Sequence, residues 1–469
     1  MPLHVRSRPQ TPAMSRARPA ALASVRFGTG LVPGDAPRDG AALLASLAAP
    51  DAIRAAHPGL DLATARDMAL SVGAARRAGR EDAAAGQTMA DAAQEAIYRA
   101  GVQTYRTALA RYVGGPAPLR ERLTWFWADH FTAVPKNPAR ALLLDDYLDA
   151  AIRTHLTGRF ADLLTAAVTH PLMLLYLDQA VSVGPGSRVG QSRGRGLNEN
   201  LAREVLELHT LGAGGGYGQA DVRQLAELLT GLTYSDRRGA RFRPGAAEPG
   251  AETVLGRSYG GDGRAALSDI HAVLADLSVH PATARHLAGK LAAHFVADPP
   301  DPDLAAAVAA TWARTDGDLM AVYAALVQHP AAAAPELRKV KPPFDFQASA
   351  LRALGVDAAA VAALDDRTLN RHFRRTQRRM GQDFMRAHGP DGWDEAPEAW
   401  INPQGLASRI QWAMAVPSRL RPDLPDPRRF VVDALGPLAG ARLSWAASAA
   451  ETRKEGVALV LAAPEFNRR

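Results

Sequence analysis

From about residue 36 onward, alanine-rich segments place apolar residues three and four apart almost without interruption, the period of amphipathic helices. Over 83–113, Met89, Ala93, Ile97, Val102, Tyr105 and Leu109 fall on one stripe, which predicts a long helix with that stripe buried. Further helices are predicted over 118–131, 140–156, 170–179, 198–212, 221–232, 280–296, 302–315 and 316–330, separated by Pro and Gly punctuation. Alternation suited to strands occurs over 240–261, where two extended runs flank Pro/Gly turns and predict a small hairpin. The fold class is therefore all-α: a large multi-helix bundle with a β-hairpin insertion and a C-terminal helical subdomain.

Breaks in the pattern divide the chain. Residues 1–35 are Arg- and Pro-rich and predict a disordered or extended basic arm. A main helical domain runs over 36–337. The charged turn and paired prolines of "RKVKPPFDFQ" open a C-terminal helical subdomain over 338–469.

Composition narrows the chemistry. The 469 residues include no cysteine, which excludes disulfides, thiolate catalysis and cysteine-ligated metal. The net charge of +7 comes mainly from five arginines before residue 35; the remainder holds 50 basic and 48 acidic residues. With no basic stripe interleaved with aromatics, nucleic-acid binding is not expected. No apolar run reaches the ~18 residues of a transmembrane segment, and the arm lacks the core of an export signal, so a soluble, cytoplasmic protein is expected. Motifs for zincins, nucleophile-elbow hydrolases and dinucleotide binding are missing, and the Gly/Ser/Arg loop over 181–196 has no Walker lysine and reads as a lid.

The stretch "GLNENLAREVLELHTLG" (196–212) comes closest to chemistry. At helical spacing Asn200, Arg203, Glu204 and Glu207 share a face, and burying two carboxylates there demands compensation. Arg203 paired with Glu207 makes the stripe a structural polar network. Alternatively Glu204 and Glu207 bind a divalent cation with Asp178 and Asn200, or act as catalytic acid and base with His130, which follows Asp129 in "WFWADHF". The basic run "RHFRRTQRRM" (371–380) is read either as a solvated face or as a site for an acidic partner.

The segments "RLTWFWADHF", "HPLMLLYLD", "NENLAREVLELHTLGAGGGYGQADVRQLAELLTGLTY", "HPATARHLAGKLAAHFV", "KVKPPFDFQASALRALG" and "MGQDFMRAHGPDGWDEAPEAWINPQGL" occur in the order typical of a bacterial family, domain of unknown function 1800 (DUF1800). The chain resembles that family from about residue 25 to the C-terminus. The resemblance implies a large helical protein and, as a partner, a neighbour similar to alkaline phosphatases and sulfatases. Two departures stand out: no export signal, and Ala247, Glu248 and Glu252 where the family usually has His, Asp and Lys. The expected function is a helical binding or assembly protein acting with a partner; the alternative is a metal-dependent hydrolase or transferase.

Overall fold

The computed structural model describes residues 12–193, 196–261 and 264–469. It is 65% helical, with two small antiparallel two-stranded sheets. The arm expected over 1–35 departs from expectation in its described part. A helix, α1, spans Pro12–Arg26, and Ala21, Val25 and Phe27 are buried. Arg26 is fully buried and donates to the carbonyls of Ala332, Ala334 (2.9 Å) and Glu336 (2.5 Å), so its charge serves as a clamp. Residues 1–11 lie outside the described part.

Helices α2 (Leu62–Glu81) and α3 (Ala83–Gly114) form a hairpin whose junction is one residue, Asp82, capping α3 by accepting from the N–H groups of Ala84 and Ala85. Gly86 lets the arms meet: a Cβ there would lie 2.1 Å from Gly79 Cα. The predicted stripe is buried at Ala93 and, in the second half of α3, at Val102, Tyr105 and Leu109. Met89 is 43% exposed, because the first half of the helix packs mainly on α2.

Helix α4 (Pro118–His130) enters the larger hydrophobic core, whose residues run from Phe27 to Ala332. The long helix expected over 140–156 is broken into short α, π and 3-10 turns, with a π turn at Tyr147–Ile152. Helix α5 (Pro171–Tyr176) begins at a His-Pro pair: His170 Nδ1 accepts from Leu172 N–H at 3.1 Å. His280 and His329 cap the turns after them in the same way. Within 181–196, the expected lid holds a short helix, Arg188–Arg193, and is tied to 245–248 through Gly184 and Val189 N–H bonds.

Helix α6 (Asn200–Glu204) and α7 (Gln219–Leu228) make the expected helical hairpin. Two β-hairpins come next where one was expected: β1 (Leu232–Ser235) with β2 (Gly239–Phe242), and β3 (Ala251–Val254) with β4 (Arg257–Gly260). The first strand begins where the apolar period of α7 still reads as helix.

Helices α8 (Leu267–Val279) and α9 (Pro281–Phe295) return to the main core. Helix α10 (Pro343–Ala353) opens a second core, built from residues 344–466 and from Val102 to Val113 of α3. Residues 366–379 form α11 (Asp366–Leu369), a π turn (Asn370–Arg374) and α12 (Arg375–Arg379), which pack beside α13 (Pro403–Ala415).

Candidate functional site

The helix of the 196–212 stretch stays α-helical only from Asn200 to Glu204 and then widens into a π turn, Val205–Thr210. Leu211 N–H reaches back five residues to Leu206 O at 2.9 Å, and Thr210 Oγ1 to Val205 O at 2.6 Å. The extra residue rotates the chain beyond it, so the α-helical face drawn from sequence does not continue past Glu204. Arg203 turns back to Glu199 (3.3 Å) and Gln219 (3.1 Å) rather than forward to Glu207, which hydrogen-bonds the Tyr217 hydroxyl. Asn200 is exposed.

The rotation carries His209 inward. It is fully buried, 6.0 Å ring to ring from His130 and 5.1 Å from Phe131. His130 is sealed among Phe126, Trp127 and Phe131, its Nε2 3.3 Å from the His209 carbonyl. Burial holds His130 well below the usual imidazole range and His209 down at about 3, so both rings are neutral. Asp178 adopts a left-handed backbone (φ 58°) and pairs with Lys136 Nζ at 2.5 Å, half-exposed. Among the described residues no three His, Asp or Glu side chains form a group that could hold a metal ion, so Glu204, Glu207 and Asp178 do not assemble the expected ligand set.

Asp129, one residue before His130, faces a different environment. It lines a cavity of about 80 Å³ between α4, the end of α9, the start of α10 and residues 382–400. Trp125, Phe344, Phe384, Trp393 and Trp400 form its aromatic walls, with Trp125 and Phe344 4.7 Å apart. A loop folds over the carboxylate: Trp393 N–H donates to both Asp129 oxygens at 3.0 and 3.3 Å. Gly392 makes this approach possible at φ +89°, since a Cβ would lie 2.8 Å from Asp129 Oδ2. Burial pushes the Asp129 carboxyl up to about 7, helped by the charges of Glu395 and Asp391 and opposed by the Trp393 N–H.

Glu395 lines the same cavity and ends at the opposite extreme. Burial would raise it, but His294 Nδ1 at 2.5 Å and Lys339 Nζ at 2.8 Å outweigh that and bring it down to about 2. His294, driven to about 4 by burial, is neutral and donates to the carboxylate. Along α9, His286, Lys290 and His294 stand four residues apart on one face. His286 Nε2 lies 3.2 Å from Leu208 O in the π turn, while Lys290, lowered by burial, feels the charges of Asp129, Glu395 and Asp391. Asp391 acts on Glu204 too, whose carboxyl is raised by burial and by Glu207. The carboxylate helix and the cavity therefore share one electrostatic neighbourhood.

In the lining of the same cavity, Asp345, raised by burial, pairs with Arg122 (3.7 Å) and Arg469. Lys341, held well below the usual amine range by burial, sits 4.0 Å over the Phe466 ring. At the β3–β4 hairpin, both Glu248 oxygens accept from Gly186 N–H (3.1 and 2.9 Å), fastening the 181–196 segment, and Ala247 packs against Gly231. Glu252 is raised to about 7 by burial and by Glu227 and Glu248.

Asp129, Lys290 and Glu395 were not among the expected site residues; the aromatic run around Asp129 reads equally well as core. The signal that could have found them was the set of resembling segments, because those beginning "RLTWFWADHF", "HPATARHLAG", "KVKPPFDF" and "MGQDFMRAHG" each contribute to the cavity lining.

Fold and site together define a helical protein with an aromatic-walled cleft that holds two carboxyls of opposed ionisation. The chain belongs to the DUF1800 family, described as proteins of unknown function, whose family model matches residues 23–468. No curated protein and no solved structure matches it. No helix among the described residues is long and apolar enough to cross a membrane.

Proposed function

We propose that the protein is an acid–base hydrolase of a small polar substrate, with Asp129 as general acid and Glu395 as the ionised carboxylate that stabilises developing positive charge. One observation carries this reading: two carboxyls facing one cavity are displaced to about 7 and about 2. Environments that push two such groups apart give one the proton and the other the charge near neutral pH. The aromatic walls suit the CH faces of a sugar-like molecule, and an acetal is a linkage whose cleavage needs a proton donor opposite a carboxylate. A cavity of about 80 Å³ takes one end of such a molecule. The 200–207 helix then serves as a structural polar network, supported by the Arg203–Glu199–Gln219 contacts. The binding or assembly role expected from sequence is a separate proposal, supported by the exposed Arg367, Arg371, Arg375 and Arg379 rather than by this cleft.

The test is turnover of a panel of chromogenic glycosides by the full chain and by Asp129→Asn. At least one glycoside is cleaved, and the variant keeps its melting temperature while losing ~10²–10⁴-fold in rate, the usual worth of a general acid. No cleavage by the wild-type chain, or full activity in the variant, ends this reading.

A further inference from the structure

Arg367, Arg371, Arg375 and Arg379 are all exposed and line one groove of about 1030 Å³ between the 366–379 segment, α3 and α13. None of the four guanidiniums has an ion-pair or hydrogen-bond partner among the described residues. The acids in the groove wall are already committed: Glu95 to Arg99 at 2.7 Å, and Asp366 to Arg106. Like charges four residues apart on a helix repel one another, so the ladder is an uncompensated cost in the isolated chain.

The backbone keeps the ladder straight. A four-residue step overshoots one α-helical turn of 3.6 residues, so an α-helix would carry successive arginines around its surface. It falls short of a π turn, whose i→i+5 bonds take in more residues. The π turn at Asn370–Arg374, placed midway, reverses the drift and returns Arg375 and Arg379 to the groove that holds Arg367 and Arg371. Three steps of four residues extend the ladder over roughly 18 Å at 1.5 Å per residue.

We infer that this groove binds an acidic helix of a partner protein presenting a stripe of carboxylates along one face. Guanidinium groups pair with carboxylates through two parallel hydrogen bonds, and carboxylates alternately three and four residues apart keep to one face of an α-helix along the ladder. A nucleic-acid strand fits less well. Sequence-tolerant strand binding relies on free aromatic faces, but Trp412 is 2% exposed with its Nε1–H donated to His372 O at 2.7 Å, leaving Tyr98 as the exposed ring in the wall. The chain after residue 34 is also nearly neutral, with 50 basic against 48 acidic residues.

Fluorescence anisotropy tests this with the full chain and two labelled probes: an alanine-based helical peptide of about 16 residues with Glu alternately three and four positions apart, and an oligothymidine of equal charge. The peptide binds at low salt, weakens as salt rises, and binds more tightly than the oligonucleotide. The double variant Arg371→Glu, Arg375→Glu loses at least tenfold in peptide affinity at an unchanged melting temperature. Absence of peptide binding, tighter binding of the oligonucleotide, or an unaltered affinity in the double variant overturns the inference.

Discussion

Arg153 is buried yet fully paired: Nη1 and Nη2 reach Glu121 at 2.9 and 2.5 Å, and Nε and Nη2 reach Asp51, the Nη2 contact at 3.0 Å. Because Glu121 is also buried, removing the guanidinium leaves a carboxylate without solvent or partner. Arg153→Ala is expected to lower the unfolding free energy by about 3–5 kcal/mol in chemical denaturation, the cost of breaking a buried pair on one side. Arg153→Lys recovers only part of it, since an ammonium does not match two carboxylates with a planar fork. A loss below ~1 kcal/mol would show that water reaches Glu121. The same physics acts on Asp129 in reverse. There burial outweighs both the Trp393 N–H and the charge of Lys290, and the carboxyl responds by keeping its proton.

Among the elements, the 389–396 loop and the π turns matter most to the site. Gly392→Ala meets both a positive φ and a Cβ clash with Asp129, so the loop must lift. The variant is expected to lose about 1–3 kcal/mol of stability. Its Asp129 carboxyl should also fall toward the ordinary range as water enters; an unchanged titration would mean that the loop does not govern the site. Most of the helices and the hairpin region were legible in sequence because apolar period and Gly/Pro punctuation are local signals. The π turns were not. One residue added to a turn leaves no mark in composition, yet at Val205–Thr210 it redirects Arg203 to Glu199 and buries His209. Asp129 and Glu395 are 266 positions apart in the chain, and only tertiary packing places them around one cavity.

At the scale of the whole molecule, the cavity lies where the two hydrophobic cores meet. Phe126 and Trp127 belong to the first, and Phe344 and Phe346 to the second. Backbone bonds between Lys339 and Arg469 (3.2 and 2.8 Å) and from Lys341 to Asn467 (2.9 Å) bind the junction, so the floor of the site is continuous with the second core. This junction holds Asp129 half-protonated near neutral pH. The folded-state value is raised, so between about pH 4 and 7 the folded chain binds the proton more tightly than the unfolded one, and the Asp129 contribution to stability falls as pH rises through that window. The direct measurement is carboxyl carbon-13 NMR of aspartate-labelled protein across pH, with the Asp129→Asn variant assigning the resonance. A midpoint near 7 is expected for the resonance missing from the variant. A midpoint in the ordinary carboxylate range, about 4, would show that the junction does not hold the proton on Asp129.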